Sequence, residues 1–170
     1  MRLRSLVARM SPRGAEDYKN YFTNFHIYMP IINKEDFYWR LRNSTPPQYM
    51  SALMLAITLC AQLSSKADDA LERAMKIYPT LKVVYSHCFA VAAPVQDFIQ
   101  AGVLIASFEH CQGLHKEAWL TIGGCARMGH ILRQQEIDSM AGSMMDVEDT
   151  NPRAALWYSI AVLERYIVIS

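Results

Sequence analysis

Glycine and proline are scarce, seven of each in 170 residues, and the apolar residues run in long blocks with few turn signals between them. A sheet protein needs turn residues at short intervals, so the scarcity argues for helices. Cysteine is thin as well: Cys60, Cys88, Cys111 and Cys125 stand alone, and no Cys-x-x-Cys pair occurs. Such spacing gives neither a zinc module nor a disulfide framework. Charge is low, 19% of residues with a net of +1, so no broad basic field exists to hold a polyanion. The longest apolar stretch, Met50 to Leu63, is interrupted by Ser51, Thr58 and Gln62 and falls short of the ~20 residues of a membrane span. There is no secretory signal and no self-similarity at the ~34-residue period of helical repeat arrays. The chain reads as soluble and intracellular.

What is present is apolar, 52% of the residues, enough for a single domain that buries roughly 70% of its unfolded surface. Arg2, Arg4, Arg9 and Arg13 open the chain without one acid, and removing their charges from the net +1 leaves the rest at −3. We read residues 1–14 as a basic disordered arm. It suits either a mitochondrial transit peptide or the basic linker behind a DNA-binding module. Residues 15–170 read as one all-α domain, an irregular bundle of about six to eight helices.

Tyr18, Tyr21, Phe22 and Phe25 make an i, i+3, i+4, i+7 stripe on a helix from Ala15 to Tyr28, stopped by Pro30. Asn33 caps a second helix with Glu35 and Asp36 in its first turn, whose face is Phe37, Tyr38 or Trp39, and Leu41. Pro46-Pro47 start a third, running to Leu63 and nearly surrounded by protein. Ser64 and Ser65 precede a helix from Lys66 to Tyr78 that buries Ala67, Ala70, Leu71, Ala74, Met75 and Tyr78. Its wet side pairs Asp69 with Arg73 and Glu72 with Lys76, and Pro79 ends it. Leu81 to Ala92 reads as a separate helix, since an isolated strand there has nothing to pair with.

Val95 to Cys111 follows, with Gln96, Asp97, Gln100 and Ser107 as its polar stripe and Gly113 as its cap. His115 to Arg133 carries Gly123, Gly124 and Gly129. Each glycine costs about 1 kcal/mol relative to alanine in a helix, which predicts close approach to Gly102 and Ala106 opposite. Gln134 to Thr150 reads as an acidic loop. Asn151-Pro152 begins the last helix, with Leu156, Ile160, Leu163 and Ile167 as its face. The pattern is still apolar at Ser170, so the domain reads as truncated; exposed apolar surface and self-association, as a homodimer, are expected.

No constellation for catalysis emerges. His110, His115 and Glu117 fit no zinc spacing. Asp68 and Asp69, being adjacent, do not face one point of a helix. Cys111 lies beside His110 without an oxyanion pattern. Trp119 and Arg127 share one side of their helix, and a structural cation–π or ion-pair role is favoured over an effector pocket.

The run from Val95 to Leu132 resembles the middle homology region, the regulatory domain, of fungal binuclear zinc-cluster transcription factors. The residues that carry the likeness are Ile99, Gln100, Ala101, Gly102, Val103, Leu104, Ile105 and Ala106, then Ala118, Trp119, Gly123, Ala126, Arg127 and Met128. Upstream, Tyr21, Phe22, His26, Pro30, Ile31 and Phe37 are similar to that domain's opening. Downstream, Arg153, Trp157, Leu163 and Arg165 are similar to its Arg-rich segment, although one arginine of the cluster remains and Glu164 replaces the usual Asp.

The resemblance implies a helical regulatory module in the nucleus, or failing that the cytoplasm. It implies no catalysis, and partners among the transcription machinery, regulatory proteins or a small-molecule effector. It marks His26, Gln100, Trp119, Arg127 and Arg165 as positions of an effector pocket or of the family's structural motif. DNA binding and zinc belong to a six-cysteine cluster that does not occur in this chain, so the chain itself has no cofactor and no nucleic-acid partner. A non-DNA-binding scaffold or adaptor, or a non-functional fragment of such a regulator, is the alternative.

Overall fold

A computed structural model describes residues 14–43, 48–91, 95–140 and 151–169. Among them are seven α-helices and no strand: α1 (Gly14–Asn20), α2 (Lys34–Asn43), α3 (Gln48–Leu63), α4 (Ala70–Val91), α5 (Gln96–Cys111), α6 (His115–Met140) and α7 (Asn151–Ile169). A π-helical turn, Tyr21–Phe25, continues α1. The basic arm lies outside the described residues except for Gly14, which opens α1.

The centre is the pair α3 and α5. Met50 to Gln62 on α3 and Phe98 to Glu109 on α5 are buried throughout, as expected of helices apolar on every side. Polar groups on α3 bond within the protein: Thr58 Oγ1 donates to the Met54 carbonyl at 3.0 Å, and Gln62 Nε2 to Asp17 Oδ1 at 3.1 Å. Around this axis α1 and α4 pack on α3, α6 packs on α5, and α7 closes against α6 and α5. The face expected for the last helix is the buried one, Leu156, Ile160, Leu163 and Ile167.

Asn33 caps α2 as expected, its Oδ1 accepting from the Asp36 amide at 2.8 Å. Phe37 is buried and Tyr38 half-buried beside it, whereas Trp39 points to solvent. Gly113, at φ +73°, ends α5: the Leu114 amide reaches the Glu109 carbonyl at 2.8 Å and the Gly113 amide that of His110 at 3.0 Å. That pattern is a Schellman closure.

Four expectations are corrected. The first helix closes through the π turn at Phe25, short of Tyr28 and Pro30, with the His26 amide bonded to the Tyr21 carbonyl at 2.9 Å. Pro79 does not end a helix, because α4 runs through it. The buried stripe Ala70, Ala74, Ile77, Leu81 and Tyr85 continues across the proline. Pro79 and Met75, whose carbonyl the missing N–H would have bonded, are both on the exposed side, where water can satisfy that carbonyl. The same stripe leaves Ala67, Leu71 and Met75 exposed, although they were assigned to the buried face.

The third correction concerns Gln134 to Thr150. α6 extends to Met140, carried by the helix-forming Gln134, Gln135 and Glu136, and residues 141–150 lie outside the described ones. Fourth, α6 does approach α5 closely at Gly102, where a Cβ would meet Cys125, but the glycines of α6 do not face it. A Cβ at Gly102 would meet Tyr85 and Cys125, one at Gly124 would meet Phe89 at 3.0 Å, and one at Gly129 would meet Trp157 at 2.8 Å. Each glycine of the close contacts admits one large side chain; Gly123 touches only Arg127 of its own helix.

Candidate functional site

Because α4 leans on α3 and α6 leans on α5, the two helices flank a groove instead of closing on one another. Lys82, Tyr85, Ser86 and Phe89 line it from α4, and Glu117, Leu120, Thr121, Gly124 and Arg127 from α6. Both sets keep the i, i+3, i+4, i+7 spacing that puts residues on one helix face. The volume of the groove is about 320 Å³. Phe89 and Leu120 are half-exposed, 41% and 54%, so the walls stay apolar and open.

Beneath one end lies a buried polar cluster. Glu109 is fully buried, and its Oε1 accepts from the Tyr78 hydroxyl at 2.7 Å and from Lys82 Nζ. Lys82 also donates to Thr121 Oγ1, whose hydroxyl donates to the Glu117 carbonyl at 2.8 Å. The cluster ties α4, α5 and α6 together. Burial, then the bond to Glu109, raises the Tyr78 phenol well above its ordinary value. Sequence reasoning missed this site: Glu109 reads as the charged end of a helix, and Lys82 falls in a segment split from its helix by the false stop at Pro79. The one legible signal was the spacing of Lys82, Tyr85, Ser86 and Phe89.

The five residues singled out from the sequence do not converge. Arg127 alone lines the groove. Trp119 is half-exposed on α6 and makes no cation–π contact with Arg127 among the described residues, where Lys34 over Phe22 is the recorded case. His26 packs on Phe22, ring centroids 5.2 Å apart. Burial, followed by the nearby Lys34 charge, lowers its pKa. Arg165 is exposed on α7.

Gln100, one of the polar stripe of its helix, is buried, because α5 is surrounded. Its Nε2 donates to the Ile31 carbonyl at 2.6 Å. It thereby fastens the loop before α2 to the central helix. Gln100→Ala will leave that carbonyl buried and unpaired, lowering stability by about 1–2 kcal/mol in urea unfolding; an unchanged midpoint would show that the loop relaxes to water.

Cys60, Cys111 and Cys125 are poor nucleophiles here. Burial raises Cys60 well above its ordinary value, pushes Cys125 up to about 12 and raises Cys111 beside His110. At neutral pH they are thiols. Among the described residues no three His, Cys, Asp or Glu side chains converge as metal ligands, and the scattered cysteines do not fit a zinc cluster. No helix of the described residues is long and apolar enough to cross a membrane.

Comparison with known proteins decides the family. Residues 18–170 match the fungal specific transcription factor domain. The chain belongs to that family. It is 28% identical over 121 residues to a citrinin biosynthesis transcriptional activator of Monascus ruber, covering 70% of this chain and 24% of that protein. An azaphilone cluster-specific transcription factor of Aspergillus niger is 28% identical over 132 residues, 75% of this chain and 28% of its own length. A depudecin biosynthesis cluster-specific activator of Fusarium langsethiae is 24% identical over 162 residues, 86% and 26%. The fungal regulatory domain here thus spans about a quarter of the relatives it matches. No solved structure matches it.

Within this family frame, the motif residues Gln100, Ile31 and Trp157 acquire physical roles. Gln100 of the central block holds Ile31 of the opening block. Gly129 of α6 receives the ring of Trp157 from the segment on α7.

Proposed function

We propose that this chain is the regulatory part of an activator of one biosynthetic gene cluster, working in the nucleus through a partner of the transcription machinery or a small effector, without catalysis. The observation that carries the reading is the family match from residue 18 to 170. The relatives' cluster-specific activator names support its direction. DNA is read elsewhere in the intact protein by a zinc cluster. The near-neutral charge of this chain, +1, supports that division of labour.

Transcript profiling after deletion of the gene tests the proposal. A contiguous group of biosynthetic transcripts should collapse and return when the intact gene is restored. A transcriptome indifferent to the deletion would refute the regulatory reading. Tight, sequence-selective mobility shifts by the 170-residue chain would refute only the claim that it leaves DNA to another segment.

A further inference from the structure

We infer that the groove between α4 and α6 is the effector site, and that it takes a small aromatic carboxylate. The inference rests on the regulatory reading and gives it a ligand class. Its volume, about 320 Å³, lies at the lower end of the ~300–1,000 Å³ of small-molecule sites. The walls are the rings of Tyr85 and Phe89 and the side chain of Leu120. Gly124 lets Phe89 rest by one edge on α6, with Cε2 3.0 Å from where a Cβ would be, and 41% of Phe89 stays exposed. A flat apolar ligand can stack there, and a larger residue at position 124 would push against Phe89.

Electrostatics give the groove a direction. At one end Lys82 is occupied by Glu109 and Thr121, and Glu117 adds a further negative charge. At the other end stands Arg127, ten residues on along α6, with its guanidinium folded back to the level of Gly123, six residues or about 9 Å from Glu117 at 1.5 Å per residue. Arg127 makes no ion pair among the described residues; its guanidinium lies back over Gly123, 3.6 Å from the place of a Cβ. An anionic group is repelled by the Glu117 end and held at the Arg127 end, where a planar guanidinium suits a carboxylate. Another large depression among the described residues, between α1 and Ser64–Ala67, is lined mainly by polar and charged side chains of both signs and has no aromatic wall. It lacks the stacking surface.

The test is calorimetric titration of the 170-residue chain with naphthoate, and with naphthamide as its uncharged counterpart. Naphthoate should bind saturably and about tenfold or more tighter than naphthamide, the difference carried by the charge-assisted bonds. Arg127→Gln should remove that preference by weakening naphthoate far more than naphthamide, Arg127→Lys should restore part of it, and Phe89→Ala should weaken both ligands. Arg127 is exposed, so its variants should melt like the parent; Phe89 is 41% exposed and rests on α6 at Gly124, so Phe89→Ala is titrated well below its own melting temperature. No saturable naphthoate binding below about 5 mM, or equal binding of the two probes, overturns the inference. So does a preference that survives Arg127→Gln. If deletion silences the gene cluster but naphthoate does not bind, the ligand assignment fails and the regulatory reading stands. If naphthoate binds and transcripts ignore the deletion, the regulatory reading fails.

Discussion

Lys82→Met will destabilise the folded chain by about 3 kcal/mol, and Glu109→Gln will cost about 1 kcal/mol, although both break the same ion pair. The asymmetry follows from burial. Glu109 is fully buried while the Lys82 side chain is 29% exposed. Methionine retains most of the aliphatic stem, so packing changes little, but the carboxylate stays in the core with the Tyr78 hydroxyl as its remaining recorded donor. An uncompensated buried charge of this kind costs about 3–5 kcal/mol, and the Tyr78 bond offsets part of it. Glu109→Gln leaves instead a lysine that can extend to water, and the new amide oxygen can still accept from Tyr78. Urea unfolding of both variants and of the double variant checks this. The double variant should be more stable than Lys82→Met alone, because it no longer buries a charge. Equal losses in the two single variants would mean that Glu109 reaches water, contrary to its burial.

How far this was legible from the sequence differs by element. The apolar residues of α7's buried face were read correctly, though not the buried Ser159 among them, and the α2 cap and the Gly113 closure were read correctly, because capping and periodicity are local signals. α4 was cut in two because a proline is a local signal as well, and only the stripe running past Pro79 shows that the freed carbonyl is on the wet side. The burial of Gln100 and Glu109 was not legible for one shared reason. A polar side chain on a helix reads as exposed unless the helix is known to be enclosed, and α5 is enclosed only once α3, α6 and α7 have packed on it. The groove fell between these cases. Its two helix stripes are visible as spacing, whereas their facing each other depends on the divergence of α4 from α6. Family likeness marked Arg127, and the groove gives it a setting; likeness marked Trp119 and Arg165 too, and both lie on the open surface.

Gly102→Ala and Gly123→Ala make the same chemical change in two helix interiors, and they will shift stability in opposite directions. Removing a glycine from a helix is worth about 1 kcal/mol. At Gly123 nothing opposes that gain, since a Cβ would meet only the flexible Arg127 guanidinium at 3.6 Å; the variant should be slightly more stable than the parent. At Gly102 the Cβ would overlap the Tyr85 hydroxyl oxygen and Cys125 Sγ. Tyr85 cannot yield by rotation: it is buried and stacked on Phe98, ring centroids 4.3 Å apart. α4 must therefore move away from α5. Overpacking costs typically 1–3 kcal/mol and more in severe cases, so a net loss of about 2–3 kcal/mol is expected. Tyr85→Phe in the Gly102→Ala background removes the nearest atom but leaves Cζ at 2.7 Å from the new Cβ, so rescue should be partial. Because Tyr85 is also a wall of the groove, Gly102→Ala should weaken naphthoate and naphthamide alike, a pattern distinct from Arg127→Gln. A Gly102→Ala chain as stable as the parent would mean that α4 and α5 stand further apart than the close contact at Gly102 requires.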